Sequence, residues 1–155
     1  MTEIIQAETA AHLVQVRMLL GEYAASLPHE QAYEHFEEEL ASLPGAFGPP
    51  TGCLLLATHA GHPVGCVALR WLELGICEMK RLYVQPSVRG RGLGRQLVAR
   101  LLAEAGHLGY TRMRLDTLAS MAPAQTLYQS FGFTYIPRYN DFPFEEVVFM
   151  ECVLR

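Results

Sequence analysis

Apolar positions along the chain switch between a period of about four and a period of two, and each switch marks a change of element. Leu13, Val16, Leu20 and Tyr23 recur at helical spacing and predict a helix over 9–26. A short strand near 3–8 precedes it, and a second helical stretch is read at 30–42. "SLPGAFGPPTG", residues 42–52, is loop by its Pro and Gly content. Three strand candidates follow: "CLLLATH" (53–59), "PVGCVALRWLEL" (63–74) and "ICEMKRLYV" (76–84). The links between them are "AGH" and Gly75, short enough only for an antiparallel meander. Leu93, Leu97, Leu101 and Ala105 mark one face of a helix over 93–108. A strand at 112–118 comes next, and a strand, helix and strand in series favour a parallel crossover. A shorter helix over 121–131 ends at Gly132, and "VVFMECVL" (147–154) is a final strand.

The third of the meander strands breaks its own alternation. Cys77 and Met79 are apolar in one phase, Leu82 and Val84 in the other. An extra residue in the strand reverses the alternation, so a β-bulge across Lys80-Arg81 accounts for the slip. Burial of both faces is the alternative explanation. A bulge here would bend the strand away from its next neighbour and open a gap lined by unpaired backbone groups.

Composition adds bounds to this picture. The chain has 155 residues, half of them apolar, which fits one domain over 1–155 with a sizeable core. No internal repeat or long linker interrupts it. No apolar run approaches the roughly 20 residues of a membrane helix, and the start lacks signal-peptide character. The expected location is cytoplasmic, without a membrane partner. Cys53, Cys66, Cys77 and Cys152 form no C-x-x-C pair, and no histidines stand at ligand spacing beside them. They read as buried apolar residues in a reducing compartment, with no metal expected.

Charge is unevenly placed. Residues 80–114 hold eight basic side chains against Glu104 alone, a net of +7, whereas the other 120 residues carry a net of −11. A uniformly basic protein would suggest nucleic acid; one basic segment in an acidic chain suggests one compact anion instead. At the centre of that segment is "VRGRGLG", residues 88–94. Glycine lets another molecule approach the main chain, and arginine offers donors suited to phosphate. The loop departs from a dinucleotide fingerprint, because Gly90 and Gly92 require a third glycine where Arg95 stands, and it follows a meander. It also lacks the G-K-[ST] of a Walker A loop. A glycine-rich turn before a helix N-terminus near Gly92 remains, and that is a phosphate cradle.

"RGRGLG", residues 89–94, resembles the R/Q-x-x-G-x-G/A motif of the GNAT superfamily of acetyl-CoA-dependent N-acetyltransferases. "EMKRLYVQPSVRGRGLGRQLV" is similar to their fourth strand, pyrophosphate loop and following helix, and "AQTLYQSFGF" (124–133) to the helix and turn that close the cofactor site. The resemblance implies an α/β (α+β) fold with a central mixed, twisted sheet of about six or seven strands and about four helices. It implies acetyl-CoA as co-substrate, with the pyrophosphate held at Arg89, Gly90, Arg91, Gly92, Leu93, Gly94 and Arg95. The pantetheine arm would lie along Leu82, Tyr83 and Val84, with Met121 and Ala124 on the other wall. Many relatives carry Asn where this chain has Met121.

Transfer of an acetyl group to an amine needs a neutral amine, a donor to the thioester carbonyl and a proton for the departing thiolate. By the resemblance, Glu78 is the base, the backbone N–H of Leu82 polarises the carbonyl, and Tyr128 faces the coenzyme sulfur. The plain alternatives are a strand-edge glutamate, a ladder hydrogen bond and a core aromatic. Lys80 and Arg81 carry no assigned role. The acceptor walls are expected from 20–45 and 136–146, which contain Tyr23, Tyr33, Tyr139, Asn140 and Asp141. Glu30, Glu34, Glu37, Glu38 and Glu39 read as a solvated helix face more readily than as an attractor of cations. A primary amine of a small or amino-acid-like molecule is the expected acceptor. The residues leave open a peptide or protein acceptor, a non-catalytic acyl-CoA sensor and a homodimer.

Overall fold

The computed structural model describes residues 1–27, 36–141 and 146–155. Its centre is a seven-stranded sheet in the order β1-β2-β3-β4-β5-β7-β6. The strands are β1 (Thr2–Gln6), β2 (Cys53–His59), β3 (His62–Glu73), β4 (Ile76–Val84), β5 (Arg112–Leu118), β6 (Thr134–Ile136) and β7 (Val147–Val153). The meander expected from the short links is present, with β2, β3 and β4 antiparallel in turn. Among the described residues, the single parallel pair is β4 with β5, as the crossover through a helix requires. Strand β6 has no counterpart in the sequence reading. Its three residues, Thr134–Ile136, are too few to show a period.

Four described helices flank the sheet: α1 (Ala10–Ser26), α2 (Phe36–Ser42), α3 (Leu93–His107) and α4 (Ala122–Ser130). The expected helix over 30–42 falls partly outside the described residues. Helix α1 begins at Thr9, whose side chain accepts from the His12 N–H while the His12 ring accepts from the Thr9 N–H. It buries Val16, Leu19 and Leu20 against Leu54, Leu56, Cys66, Ala68 and Tyr83. Helix α3 buries Leu97, Val98 and Leu101 against Leu55, Val67, Leu69, Cys77 and Met79 on the opposite face. Successive residues of β2 and β3 therefore feed different cores. That explains why "CLLLA" reads as an unbroken apolar run. Gly65 marks where α3 comes nearest the sheet: a Cβ there would stand 3.2 Å from Leu97 Cδ1 and 3.0 Å from the Tyr83 carbonyl oxygen.

The bulge read from the apolar phase is in β4. Cys66 faces Tyr83 and Ala68 faces Lys80, so Arg81 and Leu82 together oppose Val67. Arg81 takes a left-handed backbone with φ 64°. That conformation costs an ordinary side chain about 1–2 kcal/mol. Two hydrogen bonds of 2.8 Å from its guanidinium to both carboxylate oxygens of Glu39 hold it there.

All four cysteines are free and buried. Burial pushes the Cys66 and Cys77 thiols up to about 12 and Cys53 up to about 11. A disulfide-exchange reagent should titrate four thiols in denaturant and label native protein only as fast as it unfolds. Rapid labelling of any of them in the native state would show that a sheet face opens locally.

Candidate active site

The parallel pairing of β4 and β5 lasts for three residue pairs and ends at Glu78 with Arg114. Beyond it the two strands part, because the bulge at Arg81 and Leu82 turns β4 away. Leu82 and Val84 are half-buried on the side of the core that α3 covers. Tyr83, between them, points to the other side: its ring meets Tyr23 edge-on at 6.0 Å and its hydroxyl donates to Glu22 at 3.1 Å. Of the row 82–84, Tyr83 thus has only its backbone to offer the gap.

The glycine loop lies at the open end of β4. Gly90 and Gly92 have φ of 82° and 81°, a conformation that excludes most other residues, and a Cβ on either would meet nothing within 4 Å. Gly92 is the N-cap of α3, and Gln96 is the first residue whose N–H is returned to the helix, to the Gly92 carbonyl at 3.0 Å. Among the described residues, the N–H groups of 90–95 donate to no acceptor. Six unpaired donors at the positive end of a 15-residue helix are the geometry that an anion site requires. Leu93 anchors the turn in the core.

The three arginines of the loop divide their tasks. Arg89 donates to the Val84 carbonyl at 2.8 Å and lies over the Tyr83 ring, which ties loop to strand. Arg95 donates to Ser130 Oγ at 3.0 Å and lies over the Phe131 ring, which draws α4 towards the start of α3. Arg91 is exposed and pairs with nothing among the described residues. The two motifs of the sequence, 89–94 and 124–133, are thereby brought side by side, with Leu127 Cδ2 placed 3.7 Å from a Cβ built on Gly94. Met121 caps α4 and is 39 % exposed, and Ala124 packs half-buried on the α3 side.

Tyr128 reaches from α4 into the core beside Phe133. Its hydroxyl forms no hydrogen bond among the described residues, and no fully buried side-chain oxygen there lacks a partner, so this oxygen keeps access to solvent. Burial raises its pKa well above the ordinary phenol range, with the fields of Tyr23 and Asp116 adding to the effect. It is a neutral O–H at neutral pH, able to donate.

Glu78 is the one charged side chain buried among the described residues, at 1 % exposure. It is no exposed strand-edge glutamate. Arg70, its cross-strand neighbour, reaches Oε1 through Nε at 3.0 Å and through the terminal nitrogen at 2.9 Å. Lys80 Nζ stands 3.7 Å from the same oxygen and 3.5 Å from Asp116 Oδ2. The Tyr139 hydroxyl donates to Oε2 at 2.5 Å, and Asn140 Nδ2 donates to Asp116 Oδ2 at 3.0 Å. Glu78 and Asp116 thus tie down the segment 139–140. Of the other expected acceptor-wall residues, Tyr23 lies near Asp116 and Arg81. Tyr33, Glu30 and Glu34 lie outside the described residues. A cavity of about 290 Å³ opens on the outer side of Arg70, between Glu38, Glu39 and Phe47.

Arg70 and Asp116 were missed as partners of this site. The Arg70 pairing is readable once the hairpin register around Gly75 is known, since the two residues then stand opposite. Nothing in the sequence signals the Tyr139 contact, which spans 61 positions.

Residues 14–133 match the model of the acetyltransferase (GNAT) family. The chain belongs to this family. It is 40 % identical over 86 % of its length to an uncharacterized N-acetyltransferase of Schizosaccharomyces pombe, of which the match covers 83 %. A solved acyl-CoA N-acyltransferase from Klebsiella pneumoniae superposes with a TM-score of 0.75 and 30 % identity, covering 100 % of this chain and 99 % of the other. The PaiA N-acetyltransferase of Thermoplasma acidophilum, solved in complex with coenzyme A, shares the fold with a TM-score of 0.79 over 99 % of both chains at 15 % identity. The GNAT fold and the acetyltransferase class expected from the glycine loop are those of its relatives. No described helix is long and apolar enough to cross a membrane. Among the described residues no cluster of three or more His, Cys, Asp or Glu could hold a metal ion. The unpaired N–H groups of 90–95 fit the diphosphate of coenzyme A, and the gap above Glu78 has the exposed strand edges an extended pantetheine needs.

Burial raises the pKa of Tyr128 and, with help from the Glu78 charge, of Tyr139. An unfolded tyrosine ionises near pH 10. A raised folded pKa contributes stability that is complete below that pH and lost as pH rises above it. The midpoint of thermal unfolding should therefore fall between pH 9 and 11, and less steeply in Tyr128→Phe. An equal slope in both proteins would remove Tyr128 from the account.

Proposed function

We propose that this GNAT acetyltransferase moves the acetyl group of acetyl-CoA to a primary amine of a small, amino-acid-like acceptor by direct attack in a ternary complex. The observation that carries this reading is the alignment of three features along one groove. Unpaired N–H donors stand at its mouth, a parted strand pair forms its walls, and a buried carboxylate closes its end. Acetyl-CoA supplies the activated acyl group as a thioester.

The chain's own residues do the rest. The backbone of 90–95, with Arg91, holds the diphosphate. Leu82, Tyr83 and Val84 present backbone to the pantetheine, Met121 and Ala124 cover it, and the Leu82 N–H polarises the carbonyl as charge develops on its oxygen. Glu78 takes the proton that the amine must shed, since a lysine-like amine is mostly protonated at neutral pH. Tyr128 donates its hydroxyl hydrogen to the leaving sulfur.

Acetyl-CoA should raise the thermal midpoint, because the loop and gap exist only in the folded chain. Gly92→Glu places a carboxylate where phosphate belongs and should abolish that shift. A shift that survives the substitution would move the diphosphate elsewhere. Tyr128→Phe should lower kcat while leaving the acetyl-CoA shift in place, because the hydroxyl acts on the departing sulfur. An unchanged kcat, with chemistry limiting turnover, would return Tyr128 to the core alone.

A further inference from the structure

We infer that the Tyr139 hydroxyl is the group through which the acceptor's proton reaches Glu78. The inference rests on the reading of Glu78 as the base. A base that is 1 % exposed cannot meet a substrate amine directly, so whatever touches its oxygens must pass the proton on. Among the described residues, three side chains touch them. Arg70 occupies Oε1 with two nitrogens, and Lys80 stands beside that oxygen. A guanidinium and an ammonium have no lone pair with which to receive a proton. Tyr139, on Oε2 at 2.5 Å, has one: a hydroxyl donates and accepts at the same oxygen.

The geometry suits the task. Tyr139 is half-buried where Glu78 is buried, so solvent reaches the tyrosine and not the carboxylate. Its ring is held edge-on by Phe149 at 5.1 Å and covered by the Arg114 guanidinium at 5.4 Å. Arg114 is itself fixed by Glu151 at 2.8 Å and Glu73 at 3.0 Å. The next residue, Asn140, is anchored on Asp116. The charged groups facing this pair are Arg70 from β3, Lys80 from β4, and Arg114 and Asp116 from β5. Burial, and then the Glu78 charge, raise the phenol's pKa, so it stays an O–H and does not ionise in the working range.

The step balances as a relay. An N–H proton of the acceptor ammonium passes to the Tyr139 oxygen as the Tyr139 hydrogen passes to Glu78 Oε2. This leaves a neutral amine, a neutral tyrosine and a protonated Glu78. The amine nitrogen then bonds to the carbonyl carbon, the C–S bond breaks, and the thiolate takes the Tyr128 hydroxyl hydrogen, which the second N–H proton of the attacking nitrogen replaces; Glu78 returns its proton to solvent by the same path after product leaves.

The experiment compares Tyr139→Phe, Glu78→Gln and the double variant, using acetyl-CoA, a lysine-like amine and an amine of low pKa. Tyr139→Phe keeps the ring between Phe149 and Arg114. Each single variant should lose at least about tenfold in kcat on the lysine-like amine. The double variant should lose no more than the worse single, because both act in one relay. The loss should shrink on the low-pKa amine, and the acetyl-CoA thermal shift should persist. A loss in Glu78→Gln with none in Tyr139→Phe would overturn the relay and leave the base in place. A Tyr139→Phe loss of equal size on both amines would make Tyr139 structural and also overturn it. No loss in Glu78→Gln would sink the base reading and the relay with it. Should Tyr139→Phe fail to fold, a fluorinated tyrosine at 139 keeps the hydroxyl. The relay then requires the pH–rate profile to differ from wild type, and an identical profile overturns it.

Discussion

Strands β4 and β5 pair for three residues and then separate, and the functional parts of the molecule are arranged around that separation. The driving element is one extra residue in β4. Arg81 adopts a left-handed backbone that its side chain disfavours, and the ion pair with Glu39 and the packing on both sides of the sheet hold it there. A regular ladder would have closed the gap and used its N–H and C=O groups internally. The strain of about 1–2 kcal/mol stays small beside the hydrophobic burial on either face. What results is a sheet that is continuous at one end and split at the other.

The same end that stays closed also concentrates charge. Glu78 sits where the pairing stops, at the foot of the gap, and is satisfied by Arg70 and Tyr139. Burying a carboxylate is unfavourable unless it is paired and hydrogen-bonded, and both conditions are met here. Asp116 plays the parallel part on β5, holding Asn140 and sharing Lys80 with Glu78. The +7 segment found in the sequence is therefore not one patch. Arg91 points outward at the loop, while Lys80 and Arg114 lie inward around the carboxylates and Arg112 pairs with Glu151.

Much of this was legible beforehand. The bulge followed from the phase slip between Met79 and Leu82, and the cradle from glycines 90 and 92 before the apolar face of α3. These signals are local: each depends on residues within one turn or one strand. The parts that escaped are non-local. Strand β6 is specified by pairing with β7, as Tyr135 opposite Met150 shows, and not by its own three residues. The clamp on Glu78 joins two strands and a distant segment, so it follows from register and topology. The phase shared by Leu82 and Val84 was legible too, and the same alternation sends Tyr83 to the α1 side; its partners there, Tyr23 and Glu22, lie about 60 positions away in the chain and were not.

Gly65 lies on β3, opposite Val84, and its missing side chain lets α3 sit close to the sheet. A methyl group there would press on Leu97 and on Leu93, the residue that opens the helix. The amide hydrogens of 93–95 ride on that first turn. The seat of that turn is thus set from beneath: the lone hydrogen at position 65 acts as a shim between strand and helix.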